Sequence, residues 1–166
     1  MTTTSQVGDC ENLDLVRDVM VVPQAISTTL SPGLLVYQDA ANGMKVVPTT
    51  VVEGNAARFP INIPPAGQTS NATLGNKVVE SVKTGAIVIG VSDGIIGFDK
   101  YVQVSGTVAG RFQLEALVIT TVTTLRDTLL RRVGRCLGKA SGGLGLTVGS
   151  IPIATADGDP VRVIML

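Results

Sequence analysis

Apolar and polar residues alternate in short runs along most of this chain, and Gly, Pro, Asn and Asp punctuate the runs. Period-two alternation rich in Val, Ile and Thr predicts β-strands. The clearest unit is residues 34 to 47. Leu34-Leu35-Val36-Tyr37 reads as a strand, Asp39-Ala40-Ala41-Asn42-Gly43 as a loop ending in the Asn-Gly turn signal, and Met44 to Val47 as the returning strand of a hairpin. Further strands are predicted over 77–82, 86–91, 95–104, 112–122, 132–138, 144–148 and 160–166, separated by Thr-Gly, Ser-Asp-Gly, Ser-Gly and Asp-Gly-Asp turns. So many closely spaced strands predict an antiparallel barrel or sandwich, mainly all-β.

Three segments depart from this grammar. Residues 1–27 begin polar, then run Leu13-Asp14-Leu15-Val16-Arg17-Asp18-Val19-Met20-Val21-Val22 to Pro23. This stretch reads either as the first strand of the core or as an N-terminal arm that adds a strand to a neighbour's sheet edge. On the arm reading, removing residues 1–22 leaves a cooperatively folded body. The second segment is Pro-rich: Pro48, Pro60, Pro64 and Pro65 are four of the eight prolines. Because proline lacks a ladder donor, 53–75 is expected to be an extended lateral insertion on the body 28–166, not a central strand. The third is 124–133, where Leu125, Leu129 and Val133 fall at helical spacing behind a possible cap at Thr124. A short helix packed on the barrel and a hairpin turning at Asp127 both fit; the spacing favours the helix.

Composition then narrows the class. At 166 residues the chain is long enough for one domain with its own core. It holds no His and only two Cys, Cys10 and Cys136, which have no CxxC partner and are expected to stay unpaired, Cys10 in the arm and Cys136 in the barrel. Thirteen basic and thirteen acidic residues cancel, which argues against a general nucleic-acid binder and lets copies crowd without net repulsion. The longest apolar stretch, 86–98, is broken by Ser92, Asp93 and Gly94 and too short to span a bilayer, and no signal peptide is legible, so assembly in a cytoplasm is expected.

Several local patterns imitate chemistry. Gly90-Val91-Ser92-Asp93-Gly94 matches the G-x-S-x-G elbow, but no imidazole exists to take the serine proton and the following residues predict a strand instead of a helix; Ser92 is read as a hairpin-turn residue. Gly134 to Gly143 resembles a phosphate loop, yet only three residues separate Gly134 from Gly138, and Ala140 stands where a Walker loop needs Ser or Thr. Arg126, Arg131, Arg132, Arg135 and Lys139 form either a basic patch or a solvated face beside acidic neighbours. Asp157-Gly158-Asp159 has too few oxygen ligands for a calcium loop and reads as a β-turn. No catalytic residue, cofactor or metal site is expected.

The succession Val133-Gly134-Arg135-Cys136-Leu137-Gly138-Lys139-Ala140, a Gly-rich loop, and the final Gly158-Asp159-Pro160-Val161-Arg162-Val163-Ile164-Met165-Leu166 resembles the ending of tailed-phage head decoration, or capsid cement, proteins. Residues 33–47 are similar to the strand, D-A-x-x-G turn and strand unit of that family. The resemblance covers about half of the chain, on motifs of low specificity. It implies a small antiparallel β-barrel or tulip-like domain, often a homotrimer, that sits on an icosahedral shell and bridges major capsid protein subunits. Such a protein would be a virion component on the capsid surface, with neither nucleic acid nor membrane as a direct partner.

A cement protein acts by adding interface area at junctions that open under genome pressure. The residues expected to supply it are apolar arm positions, Leu15, Val16, Val19, Met20, Val21 and Val22, together with Phe59, Ile61 and Ile63; ordinary core burial is the competing reading. Two other classes stay open. One is another virion part, a tail-tube or head-fibre component. The other is a hydrolase grouping Asp93, Asp99 or Glu115 with Lys or Ser in one pocket.

Overall fold

The structure is a computed structural model that describes residues 7–11, 16–23, 31–39, 45–48, 62–63, 76–116, 120–140 and 155–166. Its strands are β1 (Val16–Pro23), β2 (Val36–Asp39), β3 (Lys45–Pro48), β4 (Asn62–Ile63), β5 (Asn76–Val82), β6 (Ile87–Asp93), β7 (Tyr101–Val104), β8 (Phe112–Leu114), β9 (Arg132–Lys139) and β10 (Pro160–Met165), with one helix, α1 (Val122–Arg131). The last five strands close a barrel in the order β10-β6-β8-β7-β9, and the first five make a sheet in the order β1-β5-β4-β2-β3. A mainly β chain with a small closed barrel and one short helix is the fold that the alternation predicts.

The barrel core is built from the inward positions of these strands. Val88, Val102, Val104, Phe112, Cys136, Val161 and Val163 are all essentially inaccessible to solvent. The Phe112 ring lies over Gly90, where an added Cβ would come within 2.2 Å of the ring. In β9, an added Cβ at Gly134 would meet the Val163 side chain at 2.3 Å and the Ile164 carbonyl at 2.7 Å, so this glycine lets β9 and β10 approach. Gly138 takes φ +104° where the β9/β10 register shifts, a conformation that favours glycine at a bulge.

Several expectations are corrected. Cys10, expected in an arm, is in the barrel core, where it bridges to Val88. Gly8 and Glu11 donate backbone hydrogen bonds to Ile89 and Ile87, and Glu11 pairs with Arg162 of β10, so residues 8–11 line β6 beyond the two residues that β8 occupies. The apolar run that follows pairs within its own chain, β1 against β5 from Val16↔Val82 to Pro23↔Asn76. In the Pro-rich stretch, Asn62 and Ile63 form β4, a central strand between β2 and β5. Two residues suffice there, because both retain N–H groups and the prolines flank them. The predicted hairpin stands, with β2 and β3 in register from Val36↔Pro48 to Asp39↔Lys45. Leu15, Phe59, Ile61, the Asn42-Gly43 turn and the strand expected over 144–148 lie outside the described residues.

The 95–104 strand shortens to β7. Ile96 leaves the sheet by exchanging hydrogen bonds with Thr155, and Asp99 reverses the chain at φ +63°. Nor do β6 and β7 pair as a hairpin, since β8 lies between them, parallel to β6. The 112–122 strand ends at Leu114. Thr121 caps α1 in a reciprocal box: its hydroxyl accepts from the Thr124 N–H, and the Thr124 hydroxyl accepts from the Thr121 N–H. Thr121, not Thr124, is the cap, and this local chemistry outweighs the β-prone Thr-Val-Thr-Thr sequence.

Candidate interaction surface

α1 is amphipathic, but it is turned the other way from the usual surface helix. Thr128 is buried and Thr124, Asp127 and Arg131 are half-buried, whereas Leu125, Leu129 and Leu130 are 37, 51 and 46% exposed and Val122 is 85% exposed. At about 100° per residue, 124, 127, 128 and 131 share one face and 122, 125 and 129 the opposite one. The Thr128 hydroxyl is satisfied by the Thr124 carbonyl at 2.9 Å, which makes its burial tolerable. The helix expected to pack its leucines on the barrel thus turns them outward, and Val133 belongs to β9. A second apolar set, Ile95 at 71% and Phe98 at 44% exposure, stands on the β6–β7 loop.

Beside the helix the charges are paired. Arg132 forms a bidentate bridge to Glu115, 2.8 and 3.0 Å, and stacks 3.6 Å from the centre of the Tyr101 ring. Arg135 bridges to Asp99 at 2.6 Å, Lys139 to Asp159 at 2.9 Å and Arg126 to Asp127 at 3.3 Å. Four of the five residues of the basic cluster, Arg126, Arg132, Arg135 and Lys139, are therefore neutralised one by one. Arg131 differs: its Nε is buried with no hydrogen-bond acceptor among the described residues.

The residues that imitate catalytic motifs are held in turns and strand ends. Ser92 is a buried β6 strand residue, not a hairpin-turn residue, and its hydroxyl is shared between the carbonyls of Ala156 at 2.6 Å and Asp159 at 3.0 Å. Asp93 accepts from the hydroxyls of Ser105 and Thr107, which, with the nearby Arg111 charge, hold its carboxyl below the usual range despite partial burial. Lys139 and the Ala156 N–H likewise lower Asp159. The turn predicted at 157–159 is present, closed by Asp159 N–H to the Ala156 carbonyl, with Gly158 at φ +77°. Asp93, Asp99 and Glu115 thus sit in three separate pairings. Among the described residues no three His, Cys, Asp or Glu gather as metal ligands, and no helix is long and apolar enough to cross a membrane.

Of the contact residues expected from sequence, Val16, Val19, Met20, Val21 and Val22 lie in β1 and Ile63 in β4. The structure brings the two sets into one sheet on either side of β5, with Val19 and Ile63 both in register with Glu80. β1 also approaches β3 at the far end of the order, so the sheet curls back on itself. The outward face of α1 was the residue set the pattern alone missed: the 122, 125, 129 spacing signals a stripe without saying which side the body occupies. No protein-family profile matches the chain, and no curated protein sequence matches it either.

Proposed function

We propose that this chain is a structural virion protein that decorates an icosahedral phage capsid and stabilises it by bridging major capsid protein subunits. The observation that carries this reading is a closed barrel with large apolar side chains left outward on two different elements, α1 and the Ile95–Phe98 loop. Exposed apolar residues grouped in this way mark interaction surfaces. A bridging subunit needs more than one of them, and a neutral chain packs densely beside its neighbours. Val16, Val19–Val22 and Ile63 share one sheet, and with Leu15, Phe59 and Ile61 they complete the candidate contact set. The partners are the major capsid protein and further copies of this chain, with the trimer implied by the family resemblance.

Cement action follows from avidity. Interfaces of roughly 1,600 Å² repeated over a shell hold junctions that single contacts would not. The test adds purified chain to expanded shells that lack it, then measures bound copies and shell melting. Saturable binding at a fixed ratio to shell subunits, with a raised melting temperature that Ile95→Ser/Phe98→Ser reduces, is the expected result. Absence of the chain from purified particles, together with no binding to shells, overturns the reading.

A further inference from the structure

We infer that β1–β5 and β6–β10 are two copies of one five-strand barrel in tandem, and that the first closes as the second does, by parallel pairing of β1 with β3. This goes beyond the function proposed above and holds whether or not the chain meets a shell.

The two sets share a strand order. With the strands of each numbered one to five in chain order, the closed barrel runs β6-β8-β7-β9-β10 and back to β6, which is one, three, two, four, five. The first sheet, entered at β3, runs β3-β2-β4-β5-β1: the same ring, cut between one and three. Directions agree as well. In both sets strand two is antiparallel to three and four, and strand five to four and one. Five strands cannot close with every neighbour antiparallel, so one pair must be parallel. In the barrel it is β6 with β8. By the same parity β1 and β3 run in one direction. Adjacency in the chain favours the two–three and four–five pairs, but it does not impose one–three, two–four or five–one, which duplication of one unit explains together.

The stagger also repeats. In the barrel a row of register partners runs Ile87, Ile164, Arg135, Tyr101 and then Glu115, whose N–H donates to the Tyr101 carbonyl. Five residues on from Ile87 and three back from Glu115 stand Ser92 and Phe112, where the end of β6 pairs with the start of β8. The matching row of the first sheet runs Asp18, Ser81, Asn62, Val36 and Pro48. The same steps from its ends reach Pro23 and Lys45, the last residue of β1 and the first of β3. β1 does approach β3, although no ladder joins them among the described residues. A trace remains in the sequence, where Gly43 and Gly110 each stand two residues before strand three of their set.

The first seam is the looser of the two. Residues 8–11 line β6 beside its junction with β8, and no described residue lines β1 in that way. The first barrel therefore opens at β1/β3 before the second opens at β6/β8.

The experiment uses the purified full chain with Pro23→Cys/Lys45→Cys, oxidised and then mapped by mass spectrometry of a non-reducing digest. A bond between positions 23 and 45 is expected, with a raised melting temperature. Val19→Cys/Lys45→Cys should form none, because the parallel register sets those positions about 13 Å apart along the strands, beyond the reach of a disulfide. In the unsubstituted chain, nuclear Overhauser contacts between residue 23 and residues 45–46 give a readout that needs no variant, and amide exchange should be faster in β1 and β3 than in β6 and β8. A folded Pro23→Cys/Lys45→Cys chain that stays reduced, a bridge that forms through Val19→Cys instead, or assigned spectra with no contact between β1 and β3 overturns the closure. Faster exchange in β6 and β8 overturns the order of opening, and an experimental structure with another order for the first five strands overturns the duplication.

Discussion

At the scale of single residues, polar groups in this protein tie strands to turns. Ser92 is the clearest case, because its hydroxyl gives its proton to the 156–159 turn, which leads into β10. Ser92→Ala takes the hydroxyl donor from the Ala156 and Asp159 carbonyls, which keep their backbone N–H partners, and should cost about 1 kcal/mol. A lower denaturant midpoint at unchanged m-value checks it. Asp93 makes stability depend on acid. Hydrogen bonds from Ser105 and Thr107 lower its folded pKa below the ordinary 3.8. Its contribution is therefore complete above the unfolded pKa and is lost as pH falls through the folded one. In urea titrations Asp93→Asn should be less stable than the unsubstituted chain at pH 7, by less than about 1 kcal/mol because the site is partly solvated. The gap should close below about pH 4.

At the scale of elements, β9 and α1 show how close approach and facing are set. Gly134 was legible as part of a Val-Gly-x-x-Leu pattern, but its reason is tertiary: β10 lies where a Cβ would be, with the Ile164 carbonyl only 2.7 Å from it. Backbone cannot yield as a flexible side chain does, so Gly134→Ala should destabilise by about 1–3 kcal/mol, seen as a lower melting temperature. α1 shows the limit of periodicity. The Leu125 and Leu129 spacing identified a helix, yet a stripe is apolar whether it faces a core or a partner. The inward face tolerates burial because the Thr128 hydroxyl donates to the Thr124 carbonyl and the Thr124 hydroxyl to the Thr121 carbonyl.

At the scale of the molecule, the N-terminal segment is shared between the two β-layers. Residues 8–11 line the barrel, and 16–23 form the end strand of the sheet. Removing residues 1–22 therefore takes Cys10 from the core, three backbone bonds from β6 and the Glu11–Arg162 pair, besides all but one residue of β1. The sequence-based expectation of an undisturbed body gives way to the opposite one. The truncated chain should unfold at least about 2 kcal/mol more easily, from the loss of core packing and hydrogen bonds together. Equilibrium urea unfolding followed by circular dichroism measures this, and a transition superimposable on that of the full chain would count against it.

By itself the sequence determined what is local: a β-rich chain, the 34–47 hairpin, the 157–159 turn, a short helix near 124–133 and the absence of any imidazole. Period-two alternation and turn residues act over a few positions, so they can be read in one pass. Tertiary structure alone decided which strands became neighbours, that β8 would separate β6 from β7, that Cys10 would enter the barrel, and which face of α1 would meet water. Those outcomes depend on contacts between residues far apart in the chain. Closing a barrel fixes them through hydrogen-bond partners and packing volume that no short window of sequence contains.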